Sequence, residues 1–212
     1  MDYKVFKRKD EYLSNFDELK IKEALHIALD CRKFEIEMYW KRANYFAIII
    51  GAIFIAYYTI KDELVVRWLL SFLGYSISYA WICLNRGSKF WQENWEKNIE
   101  YLSSAYGIPV FNLIRYGKRS QVRFLESYPY SVSRLNLIVS VFVFLAWLVV
   151  IIFNGVHIIE DDPCCLKICL LIGAGILLTA LPIVIGNLGR GFMARDQILY
   201  LQDISTEDII MK

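Results

Sequence analysis

Six residues able to ligate a metal ion fall within nine positions: His157, Glu160, Asp161, Asp162, Cys164 and Cys165. An imidazole, three carboxylates and two thiols are donors that a divalent cation accepts. Their spacing fits no zinc signature, and thiols on an outer face would have to stay reduced. The expectation is therefore a solvated acidic turn, with no metal and no cofactor. His26, far away in a helical stretch, reads as a packing or surface residue. Enzyme motifs are missing: there is no phosphate-binding loop, Gly-x-Ser-x-Gly, His-Glu-x-x-His or Cys-x-x-Cys. Gly189-Arg-Gly191 follows no strand and is not a nucleotide fingerprint. No catalytic residue is assigned, and the chain is expected not to be an enzyme.

Two other groups of side chains have chemical potential. Arg115, Lys118, Arg119 and Arg123 form the densest basic cluster. Anionic lipid headgroups suit it, at about 1 kcal/mol per well-placed cation, although it can equally serve only to fix topology. No stacking module accompanies it, so no nucleic-acid partner is expected. Ser71, Ser76, Ser78, Asn136, Ser140, Thr179 and Asn187 lie in apolar stretches, where they either line a pore or make ordinary interhelical hydrogen bonds. Gly173, Gly175 and Pro182 allow close helix packing or a gating kink.

The elements that carry these groups follow from the segregation of charge. Uncharged runs of 18, 18, 25 and 22 residues separate Arg42 from Lys61, Arg67 from Arg86, Arg134 from Glu160, and Lys167 from Arg190. At about 1.5 Å per residue, each crosses or nearly crosses a hydrocarbon layer roughly 30 Å thick. The chain is 57% hydrophobic yet 22% charged, so its charge must sit in long segments outside the bilayer. Of 24 Lys and Arg, 21 lie in segments 1–42, 86–134 and 190–212. Such asymmetry places those segments, and both termini, in the cytoplasm. The central parts of the spans carry no Asp, Glu, Lys, Arg or His, which argues against a secondary transporter or proton relay.

The spacing predicts a helix over 13–42, capped by Ser14 or Asn15, running unbroken into a first span at about 43–60. Lys61-Asp-Glu63 is a tight hairpin, and the second span is about 68–84. Asn85-Arg-Gly-Ser88 is expected to reset the chain, with Ser88 capping a new helix that ends at Gly107-Ile-Pro109. Segment 110–126 reads as helical turns or as a small hairpin. The third span is about 134–153, followed by an outer loop from Asn154-Gly155 to Pro163, and the fourth is about 166–188. Residues 189–212 form a cytoplasmic tail. Cys31, Cys83, Cys164, Cys165 and Cys169 imply no disulfide framework.

The most specified segment is Asn85 to Glu96, Asn-Arg-Gly-Ser-Lys-Phe-Trp-Gln-Glu-Asn-Trp-Glu. Trp91 and Trp95 form an aromatic ridge, continued by Ile99 and Leu102. With Leu25 and Leu29 of the N-terminal helix, this ridge is the expected oligomer interface. Together with Tyr130-Ser-Val-Ser-Arg-Leu-Asn136, the segment resembles the RipA-like bacterial inner-membrane proteins, over about 85–140. That resemblance implies a homo-oligomer, an octamer, in the cytoplasmic membrane, and no catalytic residues.

The expectation is an all-α integral membrane protein with four transmembrane helices and a cytoplasmic helical collar. The collar is built from 1–42 and 85–133, and the membrane hairpins from 43–84 and 134–188. Its partners are further copies of itself, membrane lipids and proteins of unknown identity. An oligomeric membrane scaffold is the first functional expectation. A gated pore or membrane-perturbing effector of a stress or phage-defence system is the second.

Overall fold

A computed structural model of the chain describes residues 9–108, 110, 113, 130–161 and 165–188. All its elements are helices: α1 Lys9–Leu13, α2 Glu18–Thr59, α3 Leu64–Ala105, α4 Val132–Asp161 and α5 Cys165–Leu188. The basic cluster at 115–123, the segment 114–126 and the tail 189–212 lie outside the described residues.

Two helices dominate. α2 and α3 each contain 42 residues, about 63 Å at 1.5 Å per residue. That is about twice the thickness of a hydrocarbon layer. They are joined by the expected short hairpin, whose Lys61, Asp62 and Glu63 are all exposed. Contacts run from Arg67–Tyr57 at the hairpin to Arg32–Glu96 far from it, so the helices stay paired along their length. α4 packs antiparallel on the hairpin half of α3, and α5 packs on α3 and α4. The result is a helical bundle from which paired α2 and α3 project as a stalk.

The stalk has its own core. Ala28, Ile99 and Leu102 are buried there, flanked by Tyr12, Leu13, Phe16, Leu25, Leu29 and Trp95. The short α1 folds back over its end, where Lys9 Nζ donates to Ser104 Oγ at 2.7 Å. α3 then stops at Gly107, as expected. Its φ of +80° is open to glycine, and the Ile108 and Gly107 amides bond to the Ser103 and Ser104 carbonyls, closing the helix end in a Schellman pattern.

Expectations for three segments are corrected. The N-terminal helix does not run from 13; it breaks at 14–17. Ser14 Oγ and Asn15 Nδ2 both donate to the Glu11 carbonyl, so these residues close α1, and Asp17 takes the cap position of α2. Asn85-Arg-Gly-Ser88 does not reset the chain. α3 runs straight through it, because a glycine costs a helix only about 1 kcal/mol and packing on α2 and α4 outweighs that. Ser88 is buried in mid-helix instead of capping one. Asn154-Gly155 is helical too, with Asn154 only 1% exposed. His157, Glu160 and Asp161 therefore stand on α4 rather than in a loop.

The outer surface of the bundle is greasy. Ile48, Ile55 and Tyr58 on α2, and Ile138, Phe142, Val149 and Phe153 on α4, are all exposed. α2, α3 and α4 are long and apolar enough to cross a membrane. The described apolar part of α5, Gly173–Leu188, is shorter. A bundle with apolar side chains both inside and outside belongs in lipid, where outward apolar groups cost nothing.

Candidate functional site

No cluster of three or more His, Cys, Asp or Glu able to hold a metal occurs among the described residues. The most specified constellation is instead a pair of polar layers, one at each end of the apolar bundle. In the layer beside the stalk, Asn136 Nδ2 donates to Tyr39 Oη at 2.7 Å and to Asn85 Oδ1 at 3.2 Å. Asn85 Nδ2 donates onward to Ser140 Oγ at 3.2 Å. Tyr39, Asn85 and Ser140 are all buried. This network joins α2, α3 and α4 at one level.

At the hairpin end, Tyr57 Oη donates to Asn154 Oδ1 at 3.2 Å and accepts from Arg67 Nη2 at 3.0 Å. The Arg67 guanidinium also lies 4.6 Å from the centre of the Tyr57 ring, a cation–π contact strengthened by partial burial. The same three helices meet again. Each supplies its two layers from positions eighteen apart: 39 and 57 on α2, 67 and 85 on α3, 136 and 154 on α4. Eighteen residues make five turns at 3.6 per turn, so the paired residues share a helix face about 27 Å apart. That separation is close to the thickness of a hydrocarbon layer.

Between the layers the side-chain contacts from helix to helix are mostly apolar and aromatic, with Tyr75 Oη donating to the Leu178 carbonyl at 3.1 Å. Trp147 is fully buried against Phe54, 4.3 Å between ring centres, and meets Tyr57 edge-on. It lies against Gly74. A Cβ there would stand 2.3 Å from Trp147 Cε2, closer than any packing allows, so only glycine lets α3 and α4 approach. Nothing marked Gly74 as this contact in the sequence. Its signal is a lone glycine in a span, paired with a tryptophan on an antiparallel neighbour.

Three of the pore-lining candidates turn inward, whereas Asn187 is exposed. Ser71, Ser78 and Ser140 are fully buried in one protomer and donate to the Trp68, Gly74 and Leu137 carbonyls of their own helices. Ser76 does the same to Phe72, a bond that hydroxyls make readily inside helices. Pro182 lies inside α5. A Cβ at Gly173 or Gly175 would meet nothing within 4 Å among the described residues, so neither position needs glycine to avoid a clash there.

The interface candidates divide. Ile99 and Leu102 are each 1% exposed and Trp95 packs beside them. As they stand, these side chains hold the stalk together, with Leu25 and Leu29 against them. Trp91 is half-buried and contacts Phe90. The most exposed large apolar side chains along the stalk helices are on α2: Leu19 at 94%, Phe34 at 59% and Ile27 at 56% exposure. Sequence reasoning missed Ile27 and Phe34, which lie seven residues apart and thus share a face. Charged neighbours are paired locally. Lys41 Nζ is 2.8 Å from Glu37; that hydrogen bond holds the Glu37 carboxyl below its ordinary range and raises the ammonium of Lys41.

Residues 22–156, spanning the stalk and the three long helices, match the model of the octameric membrane protein family, 8xMP. The chain belongs to this family. The 8xMP description gives an oligomeric membrane protein, the coarse part of what the sequence resemblance implied, and does not carry the RipA-like name. The matched region contains both polar layers and the Gly74–Trp147 contact. No curated protein and no solved structure matches the chain.

Proposed function

We propose that this 8xMP protein is a non-enzymatic scaffold of the bacterial cytoplasmic membrane, assembled into a homo-octamer by its stalk. In this reading α5 completes a fourth span, both termini face the cytoplasm, and the stalks form a collar beneath the bilayer. The RipA-like resemblance is consistent with that placement. The observation that carries the reading is the outward pair Ile27 and Phe34 on a stalk that leaves the hydrocarbon. Large apolar groups at seven-residue spacing, standing in water, need a partner surface. A second copy supplies one in a family described as octameric.

The second reading, a gated pore or effector, needs polar groups along a wet axis. Burial of Ser71, Ser78 and Ser140 within the protomer favours the scaffold over it. The test is to replace Ile27 and Phe34 with Glu, alone and together, and weigh the detergent-purified particles. The wild type is expected as an octamer and the double variant as smaller species with unchanged helicity. An octamer surviving both substitutions would overturn the stalk interface.

A further inference from the structure

At the stalk end of α4, a crevice of about 230 Å³ opens between α3 and α4, lined by Asn85, Arg86, Lys89, Phe90, Glu93, Ser133, Arg134 and Leu137. Three of these side chains are cationic and one is acidic. Glu93 is held by Lys89, 3.3 Å away, and among the described residues Arg86 and Arg134 have no acidic partner. The crevice thus carries an excess of two positive charges, close to the positive end of the α4 dipole.

Its depth is set by the polar layer. Asn85 and Asn136 close the apolar slab, and Arg86 and Arg134 are one and two residues beyond them on the stalk side. That is the depth of lipid phosphates. Below it the wall turns apolar: Leu137 lines the crevice, and Ile138, Val139 and Phe142 are exposed further along α4. A cationic mouth above an apolar track matches a molecule with an anionic head and a hydrocarbon tail, and a free phosphate would leave the track unused.

We propose that this crevice binds the headgroup phosphate of an anionic phospholipid through Arg86, Lys89 and Arg134, with the acyl chain along the outward face of α4. The site rests on the membrane placement of the bundle and is independent of the scaffold role. Bound lipid would fasten α4 to α3 where the stalk begins.

The test titrates short-chain phosphatidylglycerol into the detergent-purified full chain and follows the unfolding midpoint, with phosphatidylcholine and glycerol phosphate in parallel. R86Q and R134Q, both at exposed positions, are each expected to weaken phosphatidylglycerol about fivefold, and together about thirtyfold, from roughly 1 kcal/mol per cation. Lys97→Gln, further along the stalk, is expected to leave affinity unchanged. Equal affinity in the double variant overturns the site. An equal response to phosphatidylcholine removes the need for an anionic head, and an equal response to glycerol phosphate removes the need for a tail; either overturns the proposal. Particle mass measured on the same samples keeps this result separate from a failure of octamer assembly.

Discussion

Replacing Gly74 with Ala is the sharpest perturbation of this bundle. The new methyl would stand 2.3, 2.6 and 2.7 Å from three atoms of the Trp147 ring, where ordinary contact begins near 3.4 Å. The ring must retreat by about 1 Å, yet it is fully buried and stacked on Phe54. Overpacking of this kind costs about 1–3 kcal/mol, and the absence of free space puts Gly74 at the upper end. Alanine recovers about 1 kcal/mol of helix propensity, leaving a net loss of about 2. Gly87 provides the control, because a Cβ there meets nothing within 4 Å and only the propensity gain remains. The two Gly→Ala variants should therefore differ by about 3 kcal/mol, or roughly 6–12 °C in midpoint for a chain of this length. Thermal unfolding in detergent, followed by circular dichroism, reads the difference. In a Trp147→Leu background the penalty at Gly74 should largely disappear. A Gly74→Ala variant melting at or above the Gly87→Ala variant would refute the close approach of α3 and α4.

Two further outcomes follow from the same geometry. Asn136→Leu strips the Tyr39 hydroxyl and Asn85 carbonyl oxygen of their shared donor; a buried group left without its partner costs about 1–3 kcal/mol, so the midpoint should fall, and an unchanged midpoint would show that the layer adds no stability. Ile99→Ala removes a fully buried side chain from the stalk core at about 2–5 kcal/mol; amide exchange should rise in 18–35 and 90–105 while the membrane-embedded helices stay protected, and uniform exchange throughout would mean that stalk and bundle unfold as one.

Much of the architecture was legible in the order of residues. The long uncharged runs between Arg42 and Lys61, and between Arg67 and Arg86, imply helices because lipid offers no partner for an open backbone group. The hairpin at 61–63 and the stop at Gly107 were legible for local reasons: charge in one, a left-handed glycine in the other. The expected breaks at Asn85–Ser88 and Asn154–Gly155 failed for the opposite reason. Asn, Gly and Ser favour turns when water is the alternative partner. Here Asn85 and Asn154 find partners on neighbouring helices, so the helix continues through them.

By itself the sequence determined which segments are greasy, which are charged, and hence that helices traverse a membrane. It also placed Trp95, Ile99 and Leu102 on one face. Only the tertiary structure decided what that face meets: the chain's own α2, leaving Ile27 and Phe34 outward. It alone paired Gly74 with Trp147 and brought Tyr39, Asn85 and Asn136 to one level. The physical reason is that polarity and periodicity are properties of one helix, whereas a contact requires the rotation and register of two.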